Sequence, residues 1–295
     1  MMPGFLARPG IAWHMYGGAV TDLELKIKSI QYRKKLLMYI RKAGAGHTGG
    51  DLSCLDILNV LYNRILNVSP ETFEDPGRDR YVQSKGHSVE ALYVVLADKG
   101  FLPESDLETL CRYGSHYVGH PTRKVRGIEQ NTGALGHGLA FGVGVTLAGK
   151  MDGAAYRVYT LLGDGELAEG SNWESMMAAT HYQLDHLTAI IDRNTLQITG
   201  PTEDVCNLEP LAQRLEAFGW SVRAVDGHDV AALGCLLGEV PFEAGKPNAV
   251  IAQTVKGKGI SFMENDSTWH HRVPDDEQYD RAQQELDRRL KEIAS

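Results

Sequence analysis

Positive charge is in deficit in this chain: 30 Lys and Arg stand against 38 Asp and Glu in 295 residues, a formal net charge of -8. Binding to nucleic acid through a basic face is thereby excluded, and any anionic ligand has to be held by local groups. Cysteine is scarce as well: Cys54, Cys111, Cys206 and Cys235 form no CxxC pair, so neither a zinc site nor a disulfide framework is indicated. They read as reduced core or surface residues. No apolar run approaches the roughly 20 residues that cross a bilayer. The opening stretch MMPGFLARPGIAWHMYGG lacks the charged region, apolar core and small-residue cleavage site of a secretory signal, so the expected location is cytoplasmic. Two phosphate signatures are missing too: no GxGxxG follows a strand, and no glycine-rich P-loop ends in Lys-Ser/Thr. Disorder is excluded by a hydrophobic fraction of 43% and a charged fraction of 23%, both ordinary for a globular protein.

What is present organises itself along the chain. Residues 1–20 read as an irregular arm and 21–295 as one domain. In TDLELKIKSIQYRKKLLMYIRKAG the apolar residues Leu23, Ile27, Ile30, Leu37 and Ile40 recur near helical spacing, with Thr21 or Asp22 as cap and Gly44 as stop. LSCLDILNVLYNRIL, SVEALYVVLADKG and LGHGLAFGVGVTLAGKM predict further helices. From Tyr156 the rhythm changes to strand YRVYTLL, helix EGSNWESMMAATHYQ and strand LTAIID, a βαβ unit. NLEPLAQRLEAFG, SVRAV, DVAALGCLLGEV and NAVIAQTV continue as helix, strand, helix and strand, and a charged amphipathic helix closes the chain. The fold class expected is α/β: a doubly wound, mainly parallel sheet with helices on both faces.

In such a sheet, ligands sit beyond the carboxyl ends of the strands, where helix N-termini favour anions. Asp164 follows the first strand inside Gly163-Asp164-Gly165, and Asn194 follows the second inside DRNTLQITG. Their separation of 30 positions leaves room for one helix and one strand, which returns both oxygen donors to one sheet edge. A carboxylate, an amide and a loop carbonyl suit Mg²⁺, which takes oxygen ligands and shares itself with phosphate. A lone GDG triplet is more often a turn; the spacing to Asn194 is what raises it.

At this point the chain resembles the thiamine diphosphate-dependent transketolases. The resemblance rests on GDG through Asn194 and on GAGHTGG (44–50), SKGHSVEALY (84–93), GHPTR (119–123), NTGALGHGLAFGVG (131–144) and KGKGISFMENDSTWHHR (256–272), in the family's order. It implies thiamine diphosphate as cofactor, with Mg²⁺, or Ca²⁺ or Mn²⁺ in its place, held by Asp164, Asn194 and the Leu196 carbonyl. Further cofactor contacts implied are Gly133, Leu135, Gly163, Gly165, Glu169 and Ile198, with Glu169 also facing a neighbouring domain and Glu166 an accessory or solvated acid. Lys256 and Lys258 either attract phosphate or sit on a solvated loop.

Of eleven histidines, His14, His116, His181, His186 and His271 read as surface or packing residues, and His228 as the start of a helix. His47, His87 and His120 each adjoin glycine in a short polar turn, where the residues alone indicate turn positions. The resemblance instead implies that His47, His87, His120 and His270 are catalytic, contacting sugar hydroxyls and cofactor diphosphate; imidazole suits proton exchange because it titrates near neutrality. His137 departs from the glutamine frequent in the family, as Ala134 does from proline.

The resemblance puts the family's activating glutamate in a second, pyrimidine-binding domain, and no residue of this sequence is assigned to it. The expectation is therefore the N-terminal subunit of a split transketolase, inactive alone. Its partner would be a C-terminal transketolase subunit carrying that domain and glutamate, in an α2β2 heterotetramer. The reaction implied is transfer of a two-carbon ketol unit between sugars or sugar phosphates. The alternatives are the alpha subunit of a 2-oxo acid dehydrogenase's first component and a non-catalytic assembly subunit.

Overall fold

The computed structural model describes residues 20–294, and the arm expected over 1–20 falls almost wholly outside them, as does His14. In chain order the elements are α1 Asp22–Ala43, α2 Thr48–Val60, β1 Arg80–Gln83, α3 Val89–Asp98, α4 Gly138–Met151, β2 Val158–Gly163, α5 Gly170–His181, β3 Leu187–Arg193, β4 Leu196–Gln197 and β5 Gly200–Pro201. They continue as α6 Thr202–Val205, α7 Leu211–Ala217, β6 Ser221–Asp226, α8 Val230–Gly238, β7 Asn248–Gln253 and α9 Asp276–Ala294.

β1, β2, β3, β7 and β6 form one parallel sheet in that spatial order, and β4–β5 is a small antiparallel hairpin. Alternation along the strands assigns the two faces, because successive side chains in a strand point to opposite sides. Val158, Leu162, Ala189, Ile191, Ala249 and Ile251 pack with Leu139 of α4, Met176 of α5 and Leu215 of α7. Tyr159, Leu161, Ile190, Val250 and Ala252 pack with residues of α1, α2, α3 and α8 on the other side. α9 lies outside α1 and contributes Ala282 and Leu286 to that second core. The doubly wound architecture is thus built on central strands, β2, β3 and β7, buried on both faces, with the edge strand β6 largely exposed.

Local signals set the element ends. Thr21 accepts from Glu24 N while the Glu24 side chain accepts from Thr21 N, a reciprocal capping box that starts α1. Gly44 ends it in the left-handed region at φ 68°. β1 and the β4–β5 hairpin lie outside the strands that the sequence pattern predicts. β1 is an edge strand of four residues, too short for a period-2 pattern to register. No helix among the described residues is long and apolar enough to cross a membrane.

Candidate active site

Parallel pairing sets Gly163 of β2 opposite Asp192 of β3, so both strands end at the same level. Asp164 and Asn194 emerge there together, both buried. Asp164 Oδ1 accepts from Gly165 N at 2.8 Å, and Oδ2 accepts from Thr195 N at 2.6 Å and from the Arg193 guanidinium at 3.1 Å. Burial and the nearby Asp192 raise the Asp164 pKa, against the pull of those donors. Asn194 Oδ1 accepts from Leu196 N at 3.0 Å, and the Leu196 carbonyl accepts from Lys256 Nζ at 3.0 Å. The three expected metal ligands are therefore neighbours, with a carboxylate, an amide and a carbonyl oxygen. Among the described residues no group of three His, Cys, Asp or Glu could hold a metal, so a cation here would draw on neutral oxygens and on its phosphate ligand. That hard-oxygen set fits Mg²⁺.

Beneath these ligands lies a buried ion pair that sequence reading missed. Lys85 donates to Asp192 and, at 3.1 Å, to the Gly50 carbonyl; Ser53, at 2.7 Å, and Thr254 also donate to Asp192. Asn194 Nδ2 reaches both Ser53 and Asp192, which leaves its amide oxygen on the side of Leu196 N. Lys256 is 2% exposed, which settles its alternatives against the solvated loop. Burial, then the charge of Lys85, lowers its pKa to about 8.

Glu166 is buried and not solvated. It accepts from Ser84, from Gly136 N at 2.9 Å and from Gly163 N at 3.0 Å. One carboxylate thereby ties the SKGH, ALGH and GDG loops together. These loops approach closely because they lack side chains: a Cβ on Gly86 would lie 2.8 Å from Gly133 N, and one on Gly133, at φ 147°, would lie 2.8 Å from His120 Cδ2. Leu135 is half-buried; Glu169 and Ile198 are exposed, Ile198 at the tip of the β4–β5 hairpin.

The four expected histidines converge from separate segments. His47 lies 5.3 Å from His87, 6.0 Å from His120 and 5.8 Å from His270 between ring centroids, and His87 stacks on His270 at 5.2 Å. His271, expected at the surface, is exposed yet joins the cluster 4.6 Å from His47. Burial, then the charges of His271 and His120, holds His47 at about 4; burial, then Lys256, holds His270 at about 3. Burial also lowers His87 and His120. Buried Nδ1 atoms of His47 and His270 make no hydrogen bond within the described residues. Neutral imidazoles with free ring nitrogens are ready to exchange protons or hydrogen bonds with a ligand.

His228 sits just before α8 as expected, but it also anchors the late loop. Its Nε2 accepts from Val255 N at 2.8 Å, which leaves Nδ1–H to donate to Asp56 at 2.8 Å, and Arg33 grips the same carboxylate. The KGKG loop is thus fastened to α1 and α2.

Hard oxygen donors at the carboxyl ends of a parallel sheet, a buried lysine beside them and a cluster of four histidines from separate segments are a donor set suited to a phosphorylated ligand. The family model described as "Transketolase, thiamine diphosphate binding domain" matches residues 27–289. The chain belongs to the transketolase family through this thiamine diphosphate-binding domain. It is 49% identical to one of the subunits of the apulose-4-phosphate transketolase of Phocaeicola vulgatus, across 91% of this chain and 96% of that one. It is 40% identical to a 6-deoxy-6-sulfo-D-fructose transketolase subunit of a Clostridium species, across 90% and 98%. The crystal structure of Campylobacter jejuni transketolase superposes with a TM-score of 0.82 at 29% identity, over 90% of this chain and 43% of that one.

Proposed function

We propose that this chain is the diphosphate-binding subunit of a split transketolase, transferring a two-carbon ketol unit from a ketose to an aldose once a second chain supplies the pyrimidine-binding domain and activating glutamate. The observation that carries this reading is the convergence of His47, His87, His120 and His270, from four segments, on cofactor loops that meet the Asp164–Asn194 sheet edge. Asp164, Asn194 and the Leu196 carbonyl hold Mg²⁺ against the diphosphate. Lys256 adds positive charge beside them. Gly163, Gly165, Gly133, Leu135 and Ile198 line the cofactor, with the glycines allowing backbone approach. The thiazolium ring supplies the electron sink for the two-carbon unit. The histidines orient the ketose hydroxyls and carry protons to and from them, which their neutral state at pH 7 permits.

The partner, forming an α2β2 assembly, is supported by an unpartnered apolar face. Ala140, Gly144, Ala148 and Met151 follow one side of α4 and are all exposed; so are Met177 of α5 and Tyr182, whose carbonyl accepts from Lys150 near the end of α4. Glu169, exposed at the start of α5, stands on the same helix pair. The two relatives matched over nearly their whole length are named as transketolase subunits, which favours the split form over the 2-oxo acid dehydrogenase and non-catalytic alternatives. Their names make a ketose carrying an anionic group the first donor to assay. A donor screen of the assembled complex tests the reaction: transfer from such a ketose is expected. Turnover of pyruvate in its place would overturn the reading.

A further inference from the structure

Two acids with no part in the site described above lie in the core beside the histidines. Asp51, in α2, is fully buried, and Glu90, in the first turn of α3, is 2% exposed. Asp51 Oδ1 accepts from Ala91 N at 2.9 Å. It therefore caps α3 from a neighbouring helix, while Ser88, the residue at the cap position, makes no side-chain cap bond. The other Asp51 oxygen and both Glu90 oxygens receive no hydrogen bond among the described residues, although the two carboxyls lie within bonding reach of each other. The charged and titratable groups facing them are Lys85, which is committed to Asp192, together with Cys54, Cys111 and Tyr93.

Two ionised carboxylates cannot share such a place, since each is desolvated and each repels the other. A single proton resolves this by turning one acid into a donor for the other, a short charge-assisted bond. The choice of carrier follows from the surroundings. Asp51 has the α3 N-terminus and the charge of Lys85 to favour its anion. Glu90 stands in the same first turn but accepts no bond comparable to the one from Ala91 N to Asp51, and burial followed by the Asp51 charge pushes its pKa upward.

We propose that Glu90 stands as a neutral carboxylic acid donating to Asp51, and that this bridge positions His47 and His87. Asp51 N donates to the His47 carbonyl at 3.0 Å, and His47 is the cap residue of α2. His87 lies two residues before α3. A Cβ on the intervening Gly50 would fall 2.9 Å from Ser88 Oγ and 3.5 Å from His87 Cδ2, so the two helix starts meet at the histidines. Ionising Glu90 would place like charges between those starts and disturb both rings. The kinetic consequence rests on the proposed ketol transfer; the bridge itself does not.

The test compares wild type with Glu90→Gln, whose amide can donate to Asp51 at every pH. Infrared difference spectra at pH 7 should show a protonated-carboxyl stretch in wild type that is missing from E90Q. In the assembled complex, kcat of wild type should fall at alkaline pH, and in E90Q that limb should move up by about one pH unit or more, with KM for the ketose little changed. Absence of the protonated-carboxyl band overturns the bridge. Presence of the band with superimposable pH profiles overturns the positioning role. Should the wild-type complex fail to transfer ketol units, the function reading falls while the infrared comparison still decides the bridge.

Discussion

Asp164 is the one carboxylate among the proposed metal ligands, and its oxygens already face the Gly165 and Thr195 amides. Asp164→Ala should lower thiamine diphosphate affinity in the presence of Mg²⁺ by more than roughly a hundred-fold, beyond the cost of losing an outer-shell partner. Calorimetric titration measures it, and unchanged affinity would remove the metal role. His47 controls a different property. Its pKa falls from 6.5 in an open chain to about 4 in the fold, so the unfolded chain takes up a proton that the folded chain refuses between those values. The stability His47 contributes is present above 6.5 and is lost as pH falls toward 4. Denaturant midpoints of ligand-free His47→Asn should therefore decline less steeply than wild type across that window. Asp164 and Asn194 were legible as a pair because their spacing returns both to one sheet edge, whereas the histidines, read from the residues alone, were turn positions and stood out only through the family resemblance. Lys85, Asp192 and Glu166 were not legible, since a charge beside a strand reads as solvated until its buried partner, 107 positions away for Lys85 and Asp192, is known.

At the level of elements, the loop from Thr254 to Gly259 depends on backbone that only glycine tolerates. Gly257 has φ 79°, and a Cβ there would lie 2.1 Å from the Met263 carbonyl oxygen. Gly257→Ala should cost about 2 kcal/mol or more in stability and should weaken cofactor binding through Lys256, measurable by urea unfolding and titration on the same preparation. By contrast, Thr21→Ala breaks the α1 capping box far from the site, so it should cost about 1 kcal/mol and leave cofactor affinity intact. The central strands and their helices were readable because β2, β3 and β7 are continuous apolar runs separated by helical patterns. β1 escaped notice for lack of length, and the helical role given to the first third of the chain hid the sheet edge that delivers Lys85 and His87.

For the whole molecule, the sheet order and register bring the Asp164 and Asn194 strand ends to one level, and the exposed apolar side of α4 belongs to the same domain. No residue of this chain is assigned the activating role. Catalysis is thus proposed to be a property of two chains, with this one contributing the diphosphate and metal ligands and the substrate histidines. Ketol transfer measured on this chain alone, and again after addition of its C-terminal partner subunit, tests that claim most directly. Cofactor-dependent transfer is expected from the pair and none from the isolated chain; appreciable transfer by the isolated chain would overturn the two-chain reading.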